Sequence, residues 1–371
     1  MKPAARVLVR TVPRLRHVAA ATPVRPLHST VTRAANVAPV LGTGPPPEAP
    51  SGPVSSAYQR AERRKRQAEM LKAAKEIRSA SDRKSSGSSP LKRRFWSDVA
   101  VREVDGALQV YLDNRPLRHP HTKEIIRLPP SKTNLASALA LEWDVLTSAQ
   151  EATKQHLIPL TSLVCRALDI EADDNAENTG GPGIRDTIVT TLLRYLDTDS
   201  LLCWAPPPGP HDLKNDAGES LRDVQKKTAE ETVAYLTTNV WPGVEIKPVL
   251  DGHSIMPQAQ PEVLREVVRG WISGLDAWEI AGLERAVLAG KSLIAAARLV
   301  AEWSEGSVSS GAAETPEPSF GAEEAAKATS LEVDWQTGQW GEVEDTHDVN
   351  KEDVRRQLAS VVLLVSGTGK A

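Results

Sequence analysis

The chain has 371 residues, 40% of them hydrophobic, and its 45 Lys/Arg against 48 Asp/Glu leave a formal net charge of -3. That length holds two domains of ordinary size, with enough apolar content to bury a core in part of it. The two cysteines, Cys165 and Cys203, sit in apolar segments without CxxC spacing, which excludes a disulfide framework and reads as buried free thiols in a reducing compartment. The longest apolar candidate, LERAVLAGKSLIAAARLVAEW, carries Glu284, Arg285, Lys291 and Arg298, which excludes a membrane-spanning helix and membrane insertion.

The net charge hides strong segregation. Seven Lys/Arg precede the first acid, Glu48, whereas the C-terminal third is acidic. The opening MKPAARVLVRTVPRLRHVAAATPVRPLHSTVTRAA is Arg-rich, acid-free and lacks the long apolar centre of a secretory signal, so residues 1–36 read as a mitochondrial transit peptide. A basic nucleic-acid-binding tail is the competing reading, disfavoured because no aromatic residues interleave the charges to stack on bases. Residues 37–92 follow as a disordered linker, Pro/Gly-rich at first and then the charged segment Tyr58–Lys84, a solvated helix that frays at SDRKSSGSSP.

Folded structure is expected from Arg93. FWSDVAVREV, GALQVYLDN and EIIRL alternate apolar and polar residues around turn signals at Asp105-Gly106 and Asp113-Asn114, which predicts a small antiparallel sheet. SKTNLASALALEWDVLTSAQ predicts a covering helix capped by Ser131, with Leu135, Leu139, Trp143 and Leu146 on one face. These make an N-terminal α/β domain over residues 93–160. From 161 to 371 the pattern is helical almost throughout, with Gly, Pro or Asp breaks between short segments, which predicts an orthogonal helical domain. EGSVSSGAAETPEPS, within 305–319, reads as a flexible insertion. The fold class expected is therefore α+β, a small antiparallel sheet with a covering helix followed by an all-α domain.

Chemical motifs are weak. VSGTGKA at the end of the chain places Leu364 where a phosphate loop needs its first glycine, and Ala371 where it needs a hydroxyl, so neither the amide cradle nor the magnesium ligand is supplied. Asp197 and Asp199 in LLRYLDTDSLLC follow a helical face, so a helix end with Asp199 capping the next element is favoured over aspartyl chemistry. His119 and His121 flank Pro120 and read as a surface loop. There is no GxSxG, HExxH or spaced Cys/His set. LEVDWQTGQWGEVEDTHDV, from Leu331 to Val349, does concentrate Glu342, Glu344, Asp345, His347 and Asp348 beside tryptophans. That stretch is open to three readings: a solvated acidic loop, a protein-recognition surface, or a metal or acid/base site of a metal-dependent hydrolase.

Several segments together resemble the mitochondrial ATP synthase assembly factor two family, chaperones of the alpha subunit of the synthase's catalytic head. They are RRFWSDVAVREVDGALQVYLDNRPLR, LALEWD, IPLTSLVCRALD, LLRYLDTDSLLCWAP, WEIAGLERAVLAGKSLIAAARLV and WQTGQWGEVEDTHDV, spanning about Arg93 to Val349. The resemblance implies an N-terminal α/β domain joined to a helical one. It also implies a non-enzymatic role in the mitochondrial matrix, holding the unassembled alpha subunit until the beta subunit replaces it. No cofactor, small-molecule substrate or nucleic acid enters that role. It makes an acidic position of WGEVEDTHD functionally important, so Glu342 and Glu344 are the leading partner-binding candidates, with Trp340, His347 and Asp348 as neighbours.

Overall fold

The computed structural model describes residues 65, 93–176, 182–305, 319–343 and 345–367. Residues 1–36, expected as a transit peptide, nearly all of the expected linker at 37–92 and most of the expected insertion at 305–319 lie outside the described residues. The elements described below all fall within the unit Ser85–Ala371.

The sheet is three-stranded and antiparallel, in the order β1 (Val99–Val104), β2 (Ala107–Leu112), β3 (Arg115–Pro116). Asp105 and Gly106 both take positive φ, 54° and 73°, the geometry of a two-residue hairpin turn whose twist matches the strands it joins. This sets Val99 opposite Leu112 and Val104 opposite Ala107. At the next turn Asp113 enters the left-handed region, and its carboxylate accepts from the backbone N–H groups of Ser97 and Asp98. EIIRL, expected as the third strand, is instead an extended segment held by isolated bridges, Leu108 to Leu128 and Arg118 to Ile125. Prolines at 116, 120, 129 and 130 remove the donors that a continuous ladder needs.

Helix α1 (Thr133–Val145) covers the sheet, burying Leu135, Leu139 and Trp143 as their spacing requires, with Leu146 buried just beyond its end. Its start differs from expectation. Ser131 is not the cap; its hydroxyl reaches Glu305 Oε1 at 3.2 Å, and Lys132 occupies the cap position without a side-chain cap bond. The helices after it are α2 (Pro159–Asn175), α3 (Ile184–Arg194), α4 (Leu221–Asn239), α5 (Glu262–Gly274), α6 (Ala277–Gly290), α7 (Leu293–Trp303), α8 (Ala322–Trp340) and α9 (His347–Val365). Sheet first and helices after, the described fold is the α+β class expected. Among the described residues no helix is long and apolar enough to cross a membrane.

The centre of the helical part is α6, which packs against α2, α7 and α9. Its Gly282 is needed there: a Cβ added at this position would lie 2.7 Å from Val365 Cγ1, so the absence of a side chain lets α9 approach.

The segment after α3 explains its two aspartates. Asp197 forms a two-point pair with the Arg265 guanidinium of α5 at 3.0 and 2.8 Å. Asp199 is fully buried and caps, as its sequence position suggests: it accepts from Leu201 N at 3.0 Å and from Ile294 N, in the first turn of α7, at 2.9 Å. Both cysteines are free, Cys165 buried and Cys203 half-buried. Burial holds both thiols in their protonated form, Cys165 pushed up to about 12. His119 departs from the surface-loop expectation, being buried. Its Nδ1 accepts from the backbone N–H groups of His121 and Thr122, folding the loop back over its own ring.

Candidate protein-binding surface

The Leu331–Val349 stretch is the tip of a helical hairpin. Its first half continues α8 to Trp340, Asp345 and Thr346 form a turn, and α9 begins at His347. The hairpin is built on Ala325 and Ala328 of α8 and Val354, Leu358 and Val361 of α9, all buried. Ion pairs from Lys351 to Asp334 at 3.4 Å and from Arg355 to Glu323 at 2.9 Å tie the two helices on the solvent side, where each contributes little. Small residues are buried at the base, whereas toward the tip Leu331 and Trp335 are half-buried.

Gly341, with φ of 89°, ends α8 by turning the chain where an L side chain is strained. Beyond it the backbone closes onto Val343: the N–H groups of Thr346 and His347 donate to its carbonyl at 3.3 and 3.1 Å. The Val343 N–H in turn donates to His347 Nδ1 at 3.2 Å. That ring therefore braces the turn with one nitrogen. Asp348 lies in the first turn of α9, where a carboxylate favours the positive end of the helix dipole, and its Oδ1 accepts from Val349 N.

Of the side chains named from the sequence, Trp340, Glu342, His347 and Asp348 lie at one end of one hairpin. Trp340 is 73% exposed, a degree of exposure that a residue with so much apolar area seldom has unless something else covers it. Glu342 and Asp348 are exposed, and His347 is half-buried. Glu344 lies outside the described residues. Two residues that the sequence reading passed over share this end, Val343 and Val349, each 58% exposed. Their signal was present as apolar side chains at positions bracketing the acidic run, hidden by the density of charge around them.

The metal reading finds no support. Among the described residues no group of three His, Cys, Asp or Glu side chains is placed to hold an ion. The tip exposes the apolar side chains of Trp340, Val343 and Val349 beside the carboxylates of Glu342 and Asp348.

The family model described as "ATP12 chaperone protein" matches residues 93–237, from the start of the sheet region into α4. The chain is 32% identical over 285 residues to "Protein atp12, mitochondrial" of Schizosaccharomyces pombe, covering 74% of this chain and 82% of that one. It is 31% identical over 287 residues to "Protein ATP12, mitochondrial" of Saccharomyces cerevisiae, covering 73% and 83%. Among solved structures, the crystal structure of Atp12 from Paracoccus denitrificans shares the fold, with a TM-score of 0.51 at 23% identity over 73% of this chain and 96% of that one. With two relatives above 30% identity, each matched over about four-fifths of its length, the chain belongs to the ATP12 chaperone family.

Proposed function

We propose that this protein is an assembly chaperone of the mitochondrial ATP synthase catalytic head, holding the unassembled alpha subunit in the matrix until the beta subunit displaces it. Family membership supports the chaperone part of this reading, and the acid-free, Arg-rich opening supports import. The observation that carries the binding surface is the exposed Trp340 at the end of α8, with Glu342 beside it in sequence and Val343 and Val349 at the same tip. A subunit awaiting its ring partners exposes apolar surface that aggregates unless covered. A buried aromatic anchor supplies affinity for such a surface, while carboxylates steer basic groups and set register. Glu344 belongs to this rim in the proposal.

The test is capture of the unassembled alpha subunit from matrix extract by wild type, Trp340→Ala and Glu344→Lys, with the fold of each checked by circular dichroism. Wild-type capture that both folded variants lose supports the reading. Folded protein of all three forms with no alpha subunit recovered by any of them refutes it.

A further inference from the structure

A cleft of about 740 Å³ is walled by the His119–His121 loop, the 151–158 turn, α2 and α6, with Gln357 of α9 also in its lining. Its volume is typical of binding pockets, which run from roughly 300 to 1,000 Å³. Ile158, Leu163 and Ala281 are buried apolar residues of its lining, and Leu288, 42% exposed, stands among them.

The charged groups in the wall differ in how far their neighbours answer them. Arg166 gives Glu284 two hydrogen bonds of 2.8 Å, a bidentate pair that cancels both charges locally. Asp169 Oδ1 lies 3.3 Å from His119 Nε2, the nitrogen left over once Nδ1 has accepted two backbone donors, but the contact lacks hydrogen-bond geometry and leaves that buried nitrogen without a partner. Arg285, next to Glu284 on α6 and also in the lining, has neither an ion pair nor a hydrogen bond among the described residues. The Ser162 hydroxyl of α2 likewise has no partner there. An apolar lining beside one unanswered guanidinium and one free hydroxyl is a small set of polar groups placed to orient a ligand.

We infer that this cleft docks an extended apolar segment of a client chain that carries a carboxylate beside its apolar side chains, with Arg285 binding the carboxylate. The identity of the occupant as a client rests on the chaperone reading; the chemistry of the site does not. Charge argues against the other segment at hand, since Tyr58–Lys84 of this chain has ten Lys/Arg against four Asp/Glu and would meet Arg285 with like charge. A segment of the stated kind supplies what the cleft lacks: apolar side chains for the lining, an anion for the guanidinium, and backbone groups for Ser162.

The test is fluorescence anisotropy on the full chain with fluorescein-labelled Gly/Ser peptides carrying a Leu-Leu-Glu, Leu-Leu-Lys or Gly-Gly-Glu core. Wild type should bind the Leu-Leu-Glu peptide about ten-fold more tightly than either of the others, the worth of one charge-assisted contact or of the apolar pair. Arg285→Glu should reverse the preference toward Leu-Leu-Lys. Ser162→Phe, which crowds the lining with a ring, should weaken binding, and Ile255→Ala, at a position 95% exposed and outside the lining, should leave it unchanged. Equal binding of all three peptides, no binding at all, or an Arg285→Glu variant with unaltered preference overturns the inference; should Ser162→Phe fail to fold, Arg285→Glu decides alone. Capture of the alpha subunit is measured on the same preparations. Peptide discrimination without capture removes the chaperone reading and leaves the cleft standing, whereas capture without discrimination does the reverse.

Discussion

Lys132 Nζ lies 2.6 Å from Glu305 Oε1 although the two residues are 173 positions apart in the chain, and the lysine side chain is only 2% exposed. The same ammonium donates to the Leu364 carbonyl at 2.8 Å and to that of Ser366 at 3.4 Å, so it caps the C-terminal end of α9, where helical carbonyls have no partner and a cation suits the dipole. It also lies 5.5 Å from the centre of the Trp278 ring. One residue at the start of α1 therefore fastens the sheet-covering helix to the end of the hairpin's second helix. Lys132→Met keeps the stem and removes the charge, leaving two carbonyls without the ammonium and Glu305 with the Ser131 hydroxyl but no cation. Because Glu305 retains some contact with water, the expected loss is about 2–4 kcal/mol, toward the lower end of what breaking a buried pair costs. Urea denaturation should show it as a lower midpoint at unchanged slope, and hydrogen exchange should rise first in the last turn of α9. Faster exchange spread evenly over all helices would contradict the capping role.

Asp199 gives the fold a pH dependence of unusual sign. Burial pushes its carboxyl up to about 6 from 3.8, outweighing the hydroxyl of Ser292 and the backbone N–H groups of Ile294, Leu201 and Leu293 that favour the charge. Between those values the folded state binds more proton than the unfolded one, so this group's contribution to stability is full below pH 3.8 and is lost as pH rises through about 6. Over that window the change is on the order of 3 kcal/mol. Other carboxylates pull the opposite way; Asp113, Asp223 and Asp251 are held low by backbone donors. The comparison with Asp199→Asn isolates the term. The variant should be less stable than wild type by about 1–2 kcal/mol at low pH, since the amide cannot accept from both Leu201 and Ile294. Because wild type loses about 3 kcal/mol across that window and the amide does not titrate, the gap should close and then reverse as pH rises from 4 to 6. Parallel melting-temperature profiles for the two proteins across that range would refute the assignment.

Much of this architecture is readable from residue spacing alone, and the exceptions have identifiable causes. Leu135, Leu139 and Trp143 declare their helix face because the covering helix has one wet side and one dry side. Asp105-Gly106 declares the hairpin because that turn demands positive φ at both positions. The third strand was misplaced because alternation in EIIRL speaks to which side chains are buried, not to whether flanking prolines leave enough donors for a ladder. Ser131 failed as a cap because its hydroxyl found Glu305, a partner no local pattern can reveal. His119 has the same explanation: a histidine beside a proline looks like surface until its own ring nitrogen is seen to accept from the loop's backbone. At the hairpin tip the sequence announced the charges plainly, while the exposure of Trp340, Val343 and Val349 needed the fold, because only packing shows which apolar residues are left uncovered.

Glu142 and Trp143 act structurally and as a unit. The Glu142 carboxylate accepts from Leu160 N at 2.8 Å and from the N–H and hydroxyl of Thr161 at 2.9 and 2.6 Å, so it serves as the N-terminal cap that α2 lacks from its own Ile158. Trp143 Nε1 donates to the same Thr161 hydroxyl at 2.9 Å, and its ring meets Trp96 edge-on at 5.5 Å. Burial raises the Glu142 carboxyl, and the Thr161 and Leu160 donors recover only part of the cost of holding its charge. Glu142→Ala should cost about 2 kcal/mol through the lost cap and the orphaned Thr161 N–H. Trp143→Phe should cost about 1–3 kcal/mol, chiefly from the unfilled volume and the donor it removes. Because both changes act on Thr161, the double variant should lose less than the sum of the singles, a shortfall that a double-mutant cycle by chemical denaturation measures directly. Simple additivity would mean that the three groups do not form one network.

The hairpin tip should behave in the opposite way, mattering for binding and hardly at all for stability. Trp340 is mostly in water already, so Trp340→Ala removes little buried area and should change the unfolding free energy by less than about 0.5 kcal/mol. If the ring becomes an anchor in the complex, the same change should weaken client binding by about 2 kcal/mol or more, roughly thirty-fold. Glu342→Gln should act on another quantity. An exposed carboxylate at the rim steers encounter, so its loss should lower the association rate and flatten the dependence of that rate on salt while leaving dissociation nearly unchanged. Surface plasmon resonance at two ionic strengths separates the two effects. A Trp340→Ala variant that dissociates as slowly as wild type would show that the tip is merely exposed, and would move the search for the grip to the cleft beside Arg285.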